Sequence, residues 1–359
     1  MMQCEKLKIK NTFSLKRKYT VLFLFIVFNF SFCDNKNKAI TPVEKGLASI
    51  TAKTLKKHVE IIAGDKMEGR ETGSAGASKA ADYIAARLKG MGITPYEGKS
   101  YFQYLNTYAK QNNLPVMRNV VGKIDGKNKD EFIVIGAHYD HIGIGDKIRM
   151  GDYVAGGDSI NNGADDNASG VSAVLQVAKA FSDIKEVPLK TIIFAFWDSE
   201  EPGSNGSEYF INRFNNINRI KAYVNLDMVG RDKKGTESRV AFIYSDTTKN
   251  YKRIFEAECE VYKLNMELVT DTETLDRDFF GDIYTLYPKY FDRSKSLFVY
   301  SSDHNVFEHK NIPIFLYTTG IHSDYHRVTD HADKISLDKL TKVTKLSFLT
   351  VYYLANTEV

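Results

Sequence analysis

The unbroken apolar run from Thr191 to Trp197 constrains this chain more than any other segment. Its seven residues, rich in Ile and Phe, read as a strand with no solvent-facing side. Such a strand needs cover on both faces, which is the usual situation of strands in parallel sheets flanked by helices. The rest of the chain supplies the partners. Phe132–Gly136, Ala222–Leu226, Val240–Tyr244 and Ile312–Tyr317 read as further strands. Helices are expected at Leu55–Ile62, Ala77–Met91, Ser169–Phe181, near Ser207–Phe214 and at Ser336–Tyr353. In the second of these, Ala80, Ile84, Leu88 and Met91 recur at helical spacing, and Gly90 and Gly92 can end it. Strands alternating with helices imply an α/β fold: a mixed, mainly parallel central sheet with helices on both faces. About forty residues separate the helix at 77–91 from the strand at 132–136, too few for an inserted domain.

The ends of the chain read differently. Residues 1–32 carry six basic side chains against Glu5, a net +5, so the formal +4 of the whole leaves −1 for the remainder. A body of that charge gives no reason to expect nucleic-acid binding. The basic start precedes the apolar stretch Val21–Phe32 and then Cys33. Twelve residues are short for a membrane span and match a secretory signal. The expected organisation is a signal over 1–33, a linker over 34–50 and a single domain over 51–359, exported to the periplasm or cell surface. Cys33 stands where a bacterial lipoprotein signal places its acylated cysteine, although Phe32 before it is bulkier than the small residue usual there. A lipid anchor and a freely exported form both fit. With Cys259 the remaining cysteine of the body, no disulfide framework is expected.

The strand at 191–197 runs directly into Asp198-Ser199-Glu200-Glu201-Pro202-Gly203. Ligands of open α/β sheets bind at the carboxyl ends of the strands. An acidic pair there could supply one metal ligand and one proton-transfer base; alone, it reads first as the start of a solvated loop. Other polar groups occupy equivalent places. His138 and Asp140 follow the strand at 132–136, and Asp227 ends that at 222–226. Asp165 and Asp166 lie in the glycine-bounded segment Gly163–Gly170, where either would serve as a helix cap. Ser302-Asp303-His304, His322–His326 and Asp330 come later. Histidine and carboxylate donors without thiolates suit zinc, with cobalt or manganese also compatible. The surplus of carboxylates allows two ions bridged by one Asp.

These segments, in this order, resemble peptidase family M28, the zinc aminopeptidases, over roughly residues 52–355. The resemblance rests on His138-x-Asp140, Gly163–Gly170, Glu200-Glu201, Asn225-Leu226-Asp227-Met228 and Tyr325-His326. It implies two Zn2+ held by His138, Asp166, Glu201, Asp227 and His326, with Asp166 as the bridge and Glu200 as general base. It also implies that Asp140 orients His138, that Asp330 does the same for His326, and that Asp165 supports the turn. Tyr325 matches a phenol that steadies the tetrahedral intermediate, with Tyr287 or Tyr290 as substitutes. The implied substrate is a peptide, cut at its N-terminal residue. A carboxypeptidase of the same fold would need a basic clamp, for which Arg231 and Arg327 are the nearby candidates. A glutaminyl-cyclase-like acyltransferase is the third reading, disfavoured by the intact Asp-Asn-Ala-Ser-Gly segment. Phe279, Phe280, Tyr284, Tyr287 and Phe291 read either as a specificity surface or as core.

Overall fold

The computed structural model describes residues 40–105, 110, 117–145, 158–245, 248, 250–288, 291, 294 and 300–357. The expected signal with Cys33, the first part of the linker, and Tyr290 lie outside the described residues. Among those described, no helix is long and apolar enough to cross a membrane.

One nine-stranded sheet organises the chain. Its strands are β1 (Thr94–Pro95), β2 (Phe102–Tyr104), β3 (Arg118–Ile124), β4 (Asn128–His138), β5 (Lys190–Trp197), β6 (Ile220–Leu226), β7 (Arg239–Tyr244), β8 (Glu267–Val269) and β9 (Ile314–Thr318). They lie in the order β1-β3-β5-β4-β6-β9-β7-β8, with β2 beside β3. The centre β5-β4-β6-β9 is parallel, while β3 and β7 join it antiparallel. Register aligns His138 with Trp197, Gly136 with Asn225, and Leu226 with Tyr317. The carboxyl ends of all four central strands therefore open on one edge, the place where such sheets bind ligands.

β5 is buried from end to end, as its sequence requires. Its side chains alternate between two cores. Ile192, Phe194 and Phe196 join the core beneath α1 (Pro42–Ser49), α2 (Ala52–Ile62), α3 (Ala75–Gly90), α4 (Gly170–Ile184) and α7 (Leu337–Asn356). Ile193, Ala195 and Trp197 join the opposite core, with Phe210 and Ile211 of α5 (Asn205–Arg213). Burying a side chain of this size contributes about 1.5–3 kcal/mol, so a one-residue slip of β5 would exchange both sets at once. α3 carries its expected stripe: Ala77, Ala80, Ala81, Ile84, Ala85 and Leu88 are buried. Ser74 caps its start by accepting from the Ala77 N–H, and Gly92 follows its end at φ +73°.

Part of the expected linker is structured. A capping box between Thr41 and Glu44, with Pro42 in the first turn, starts α1, whose Leu47 is buried in the large core. Capping chemistry outweighs the polar composition there. β3 and the helix α6 (Tyr251–Val261) are further elements that the sequence pattern did not single out.

Candidate metal centre

Each strand end delivers one group. β4 ends on His138, whose Nε2 lies 3.3 Å from Asp166 Oδ1 and 3.3 Å from Asp227 Oδ1, just past β6. His326, after β9, has its Nε2 3.2 Å from Asp166 Oδ2 and 3.1 Å from Glu201 Oε2, which follows β5. Asp166 thus turns one oxygen to each group. All five side chains implied as ligands meet at one edge of the sheet. Ligand atoms on a tetrahedral ion with bonds of 2.0–2.1 Å sit roughly 3.3 Å apart. The spacings of 3.1–3.3 Å match that figure, so the residues present fit a pair of zinc ions.

The backbone is shaped to bring these side chains together. Gly163 adopts φ +56° and opens the turn Ala164–Ser169, in which the Asp166–Asn167 peptide is cis. Asn167 Nδ2 donates to Leu226 O, and its Oδ1 accepts from the N–H groups of Gly170 and Met228. That one amide ties the Asp166 turn to the Asp227 strand end. Asp165 caps nothing; its Oδ1 accepts from the Gly230 N–H at 2.7 Å, joining the same two segments.

Beneath the site lies Arg70, wholly buried. Its Nε donates to Tyr139 O, its Nη1 to Ile62 O and Asn162 O, and its Nη2 to Gly163 O, with a longer contact to Asp166 O. Burial pulls the guanidinium down to about 10, against the pull of Asp166, Asp140, Asp330 and Glu201. One cation thus clamps the backbone on which both His138 and Asp166 ride.

Asp140 keeps its place beside His138 and has a second task, while the role implied for Asp330 needs revision. Asp140 accepts from the backbone N–H of Glu200 at 3.0 Å and of Glu201 at 3.3 Å, and from Thr72 Oγ1. It therefore fixes the acidic turn, while its own carbonyl meets His138 Nδ1 at 3.2 Å and its Oδ1 stands 3.7 Å away. Asp330 does not brace His326. Its Oδ2 accepts from the N–H groups of Asp165 and Asp166, and its Oδ1 meets Arg231. The spacing of four residues suggested a pairing, but the chain folds Asp330 back under the Gly163 turn, where two amides need an acceptor.

The adjacent glutamates are electrostatically unlike. Burial raises Glu200 well above the usual carboxylate range; His138 opposes this, while Asp303, Asp227 and Glu201 add to it. Burial acts on Glu201 too, but His326 and the hydrogen bonds from His141 and His326 hold it down at about 2. Paired carboxyls pushed apart in this way can take different tasks. Tyr325 stacks on His326 with ring centres 3.8 Å apart. Burial and the carboxylates of Asp166, Glu201, Glu200 and Asp227 raise its phenol well above normal. Tyr287 donates to Tyr325 O at 3.4 Å and supports that loop. Tyr300, which the sequence reading passed over, feels Asp227, Asp166 and Glu200 as well, its phenol raised chiefly by burial. His141 was also passed over, although it lies in the same sequence motif as His138; its Nδ1 is 2.7 Å from Glu201 Oε1. Phe279, Phe280 and Tyr287 are buried in a third apolar cluster with Met228 and Ile321, so they act as core beside the site.

A model of peptidase family M28 matches residues 119–351. Leupeptin-inactivating enzyme 1 of Streptomyces exfoliatus is 28% identical over 221 residues, 59% of this chain and 43% of that enzyme. An aminopeptidase of Pseudomonas aeruginosa is 30% identical over 128 residues, 35% of this chain and 20% of that protein. The chain therefore matches less than half the length of these curated relatives. BSAP, a zinc aminopeptidase from Bacillus subtilis, superposes with a TM-score of 0.61 at 16% identity, covering 86% of this chain and 96% of that one. At that identity the likeness shows the fold.

Proposed function

We propose, for a chain that belongs to peptidase family M28, the activity of a two-zinc aminopeptidase. The observation that carries this reading is that His138 meets Asp227 and one oxygen of Asp166, while His326 meets Glu201 and the other oxygen of Asp166; His141, with Asp166 and Glu201, also lies close enough to hold an ion. His138 and Asp227 would hold one ion, Glu201 and His326 the other, and Asp166 both. Two ions in such a site, when bound, lower the pKa of a water and polarise the scissile carbonyl.

The chain's own residues supply the proton transfers. Glu200, with its raised affinity for protons, takes one from the attacking water as its oxygen bonds to the carbonyl carbon. It returns that proton to the leaving nitrogen as the C–N bond breaks. Glu201, held ionised by its histidines, stays a ligand throughout. Tyr325 stays protonated, the state in which a phenol can donate to the developing oxyanion.

Removal of the N-terminal residue is favoured over C-terminal cleavage by the aminopeptidases among the similar proteins, and Arg231, one of the two candidate clamps, is already engaged. Its Nη2 is committed to Asp324 at 2.6 Å and its Nη1 to Asp330 at 3.4 Å, so it does not serve as a clamp for a substrate carboxylate. Export, by the basic and apolar start of the chain, belongs to the same proposal. The test compares metal-stripped and zinc-restored protein on free-amine and N-acetylated aminoacyl chromogenic substrates. Zinc-dependent turnover of the free amine alone is expected. Equal turnover of both would overturn the aminopeptidase reading.

A further inference from the structure

His141 lies outside the ligand set implied by the resemblance, yet it is 1% exposed and faces the second donor group. We propose that His141 is a positioning residue for the ion held by Asp166, Glu201 and His326: its Nδ1–H donates to Glu201 Oε1 and leaves Oε2 turned towards the metal. This rests on the two-zinc reading above. The distances separate a hydrogen bond from a further ligand. Atoms on one tetrahedral ion stand roughly 3.3 Å apart, as Glu201 Oε2 and His326 Nε2 nearly do at 3.1 Å. His141 Nδ1 is only 2.7 Å from Glu201 Oε1, the length of a charge-assisted N–H···O bond, and 3.7 Å from Asp166 Oδ2. The two oxygens of Glu201 are thus divided between a histidine that orients it and a metal that it binds.

The ring is well placed for this task. The His141 backbone N–H donates to Arg70 O at 3.2 Å, and residue 141 bridges to Glu71 in parallel. The imidazole meets the His326 ring edge-on at 5.8 Å. Its Nε2 is buried with no hydrogen-bond partner among the described residues, which leaves Glu201 as the one group that its nitrogens orient. Groups that hold a metal's ligands from behind typically govern affinity by 10–100-fold.

The experiment titrates zinc into the metal-stripped full chain under chelator competition, for wild type, His141→Ala and His141→Asn. Asn presents an amide N–H at the position of Nδ1. Wild type is expected to bind two zinc ions. In His141→Ala one of the two constants should weaken by about 10–100-fold with the other unchanged, and His141→Asn should recover most of the loss. X-ray absorption should count the same number of imidazoles on zinc in wild type and His141→Ala. Unchanged constants in both variants, equal weakening of both constants, or loss of one imidazole from the metal would overturn the proposal. Wild-type protein that takes up no zinc would instead strike the two-zinc reading, and the inference with it. Far-UV circular dichroism and melting curves confirm that each variant is folded.

Discussion

Arg70 offers the sharpest test of how the fold sustains the site. Replacing it by Met keeps most of the apolar stem but removes every donor. Four buried carbonyls, those of Tyr139, Ile62, Asn162 and Gly163, would lose partners now at 2.6–2.9 Å. Hydrogen bonds from a charged donor are worth about 1.5–3 kcal/mol each, so the gross loss is roughly 6–12 kcal/mol. Against this stands the desolvation of a buried guanidinium, several kcal/mol that the variant no longer bears. Water reaching some of the freed carbonyls offsets more of it. The net destabilisation should be about 3–5 kcal/mol, the range found when buried charged networks lose a partner. Urea denaturation of the metal-free protein at neutral pH measures it directly. Arg70→Lys should fall between the two, because one ammonium cannot reach four carbonyls spread along three segments. The Met variant should also bind zinc more weakly, since Gly163 and Asp166 share the clamp. A loss below about 1 kcal/mol, with zinc affinity intact, would refute the reasoning.

Two other perturbations probe different links. Gly163→Ala should cost at least about 2 kcal/mol and loosen the metal site, because a Cβ at φ +56° would lie 2.2 Å from Asp166 O and 2.5 Å from His141 Cδ2; an unchanged urea midpoint would contradict this. His58 is pushed down to about 4 by burial, with Arg87 and Lys57 adding to it, and its Nδ1 meets Tyr83 Oη at 2.7 Å. Its folded pKa lies below the unfolded value of 6.5, so the unfolded chain binds the extra proton and stability falls as pH drops from about 6.5 towards 4. At pH 4.5 the loss from this residue should be about 2–3 kcal/mol, and His58→Phe should flatten that part of the urea-derived pH profile. An identical slope in the variant would remove His58 as the cause.

The central layer was legible in the sequence because its signals are redundant. β5 is a continuous apolar run, β4 ends on a candidate ligand and β6 ends one residue before another, and the α3 stripe repeats at helical spacing. The five implied ligands converge because four of them follow parallel strands and the fifth sits in a glycine turn. What stayed hidden depends on contacts distant in the chain. β3 reads as two valines between polar residues and becomes a strand by pairing with β5. Arg70 lies in a turn with left-handed Glu68 and Gly69 on its N-terminal side, where an arginine reads as surface. Asp330 was assigned to its near neighbour His326, but its partners are the amides of residues 165 and 166. His141 stands three residues after His138, and its partner Glu201 is sixty residues away. Sequence spacing reveals which groups reach the strand ends; it does not reveal which group braces which.

The division of labour between Glu200 and Glu201 is the claim on which the rest depends. Zinc content and kcat, measured together on Glu200→Gln and Glu201→Gln, test it most directly. The account predicts that Glu200→Gln keeps two zinc ions while kcat falls by about 10²–10⁴, and that Glu201→Gln loses one zinc ion. Full metal with a near-normal rate in Glu200→Gln, or the same metal content in both variants, would contradict it.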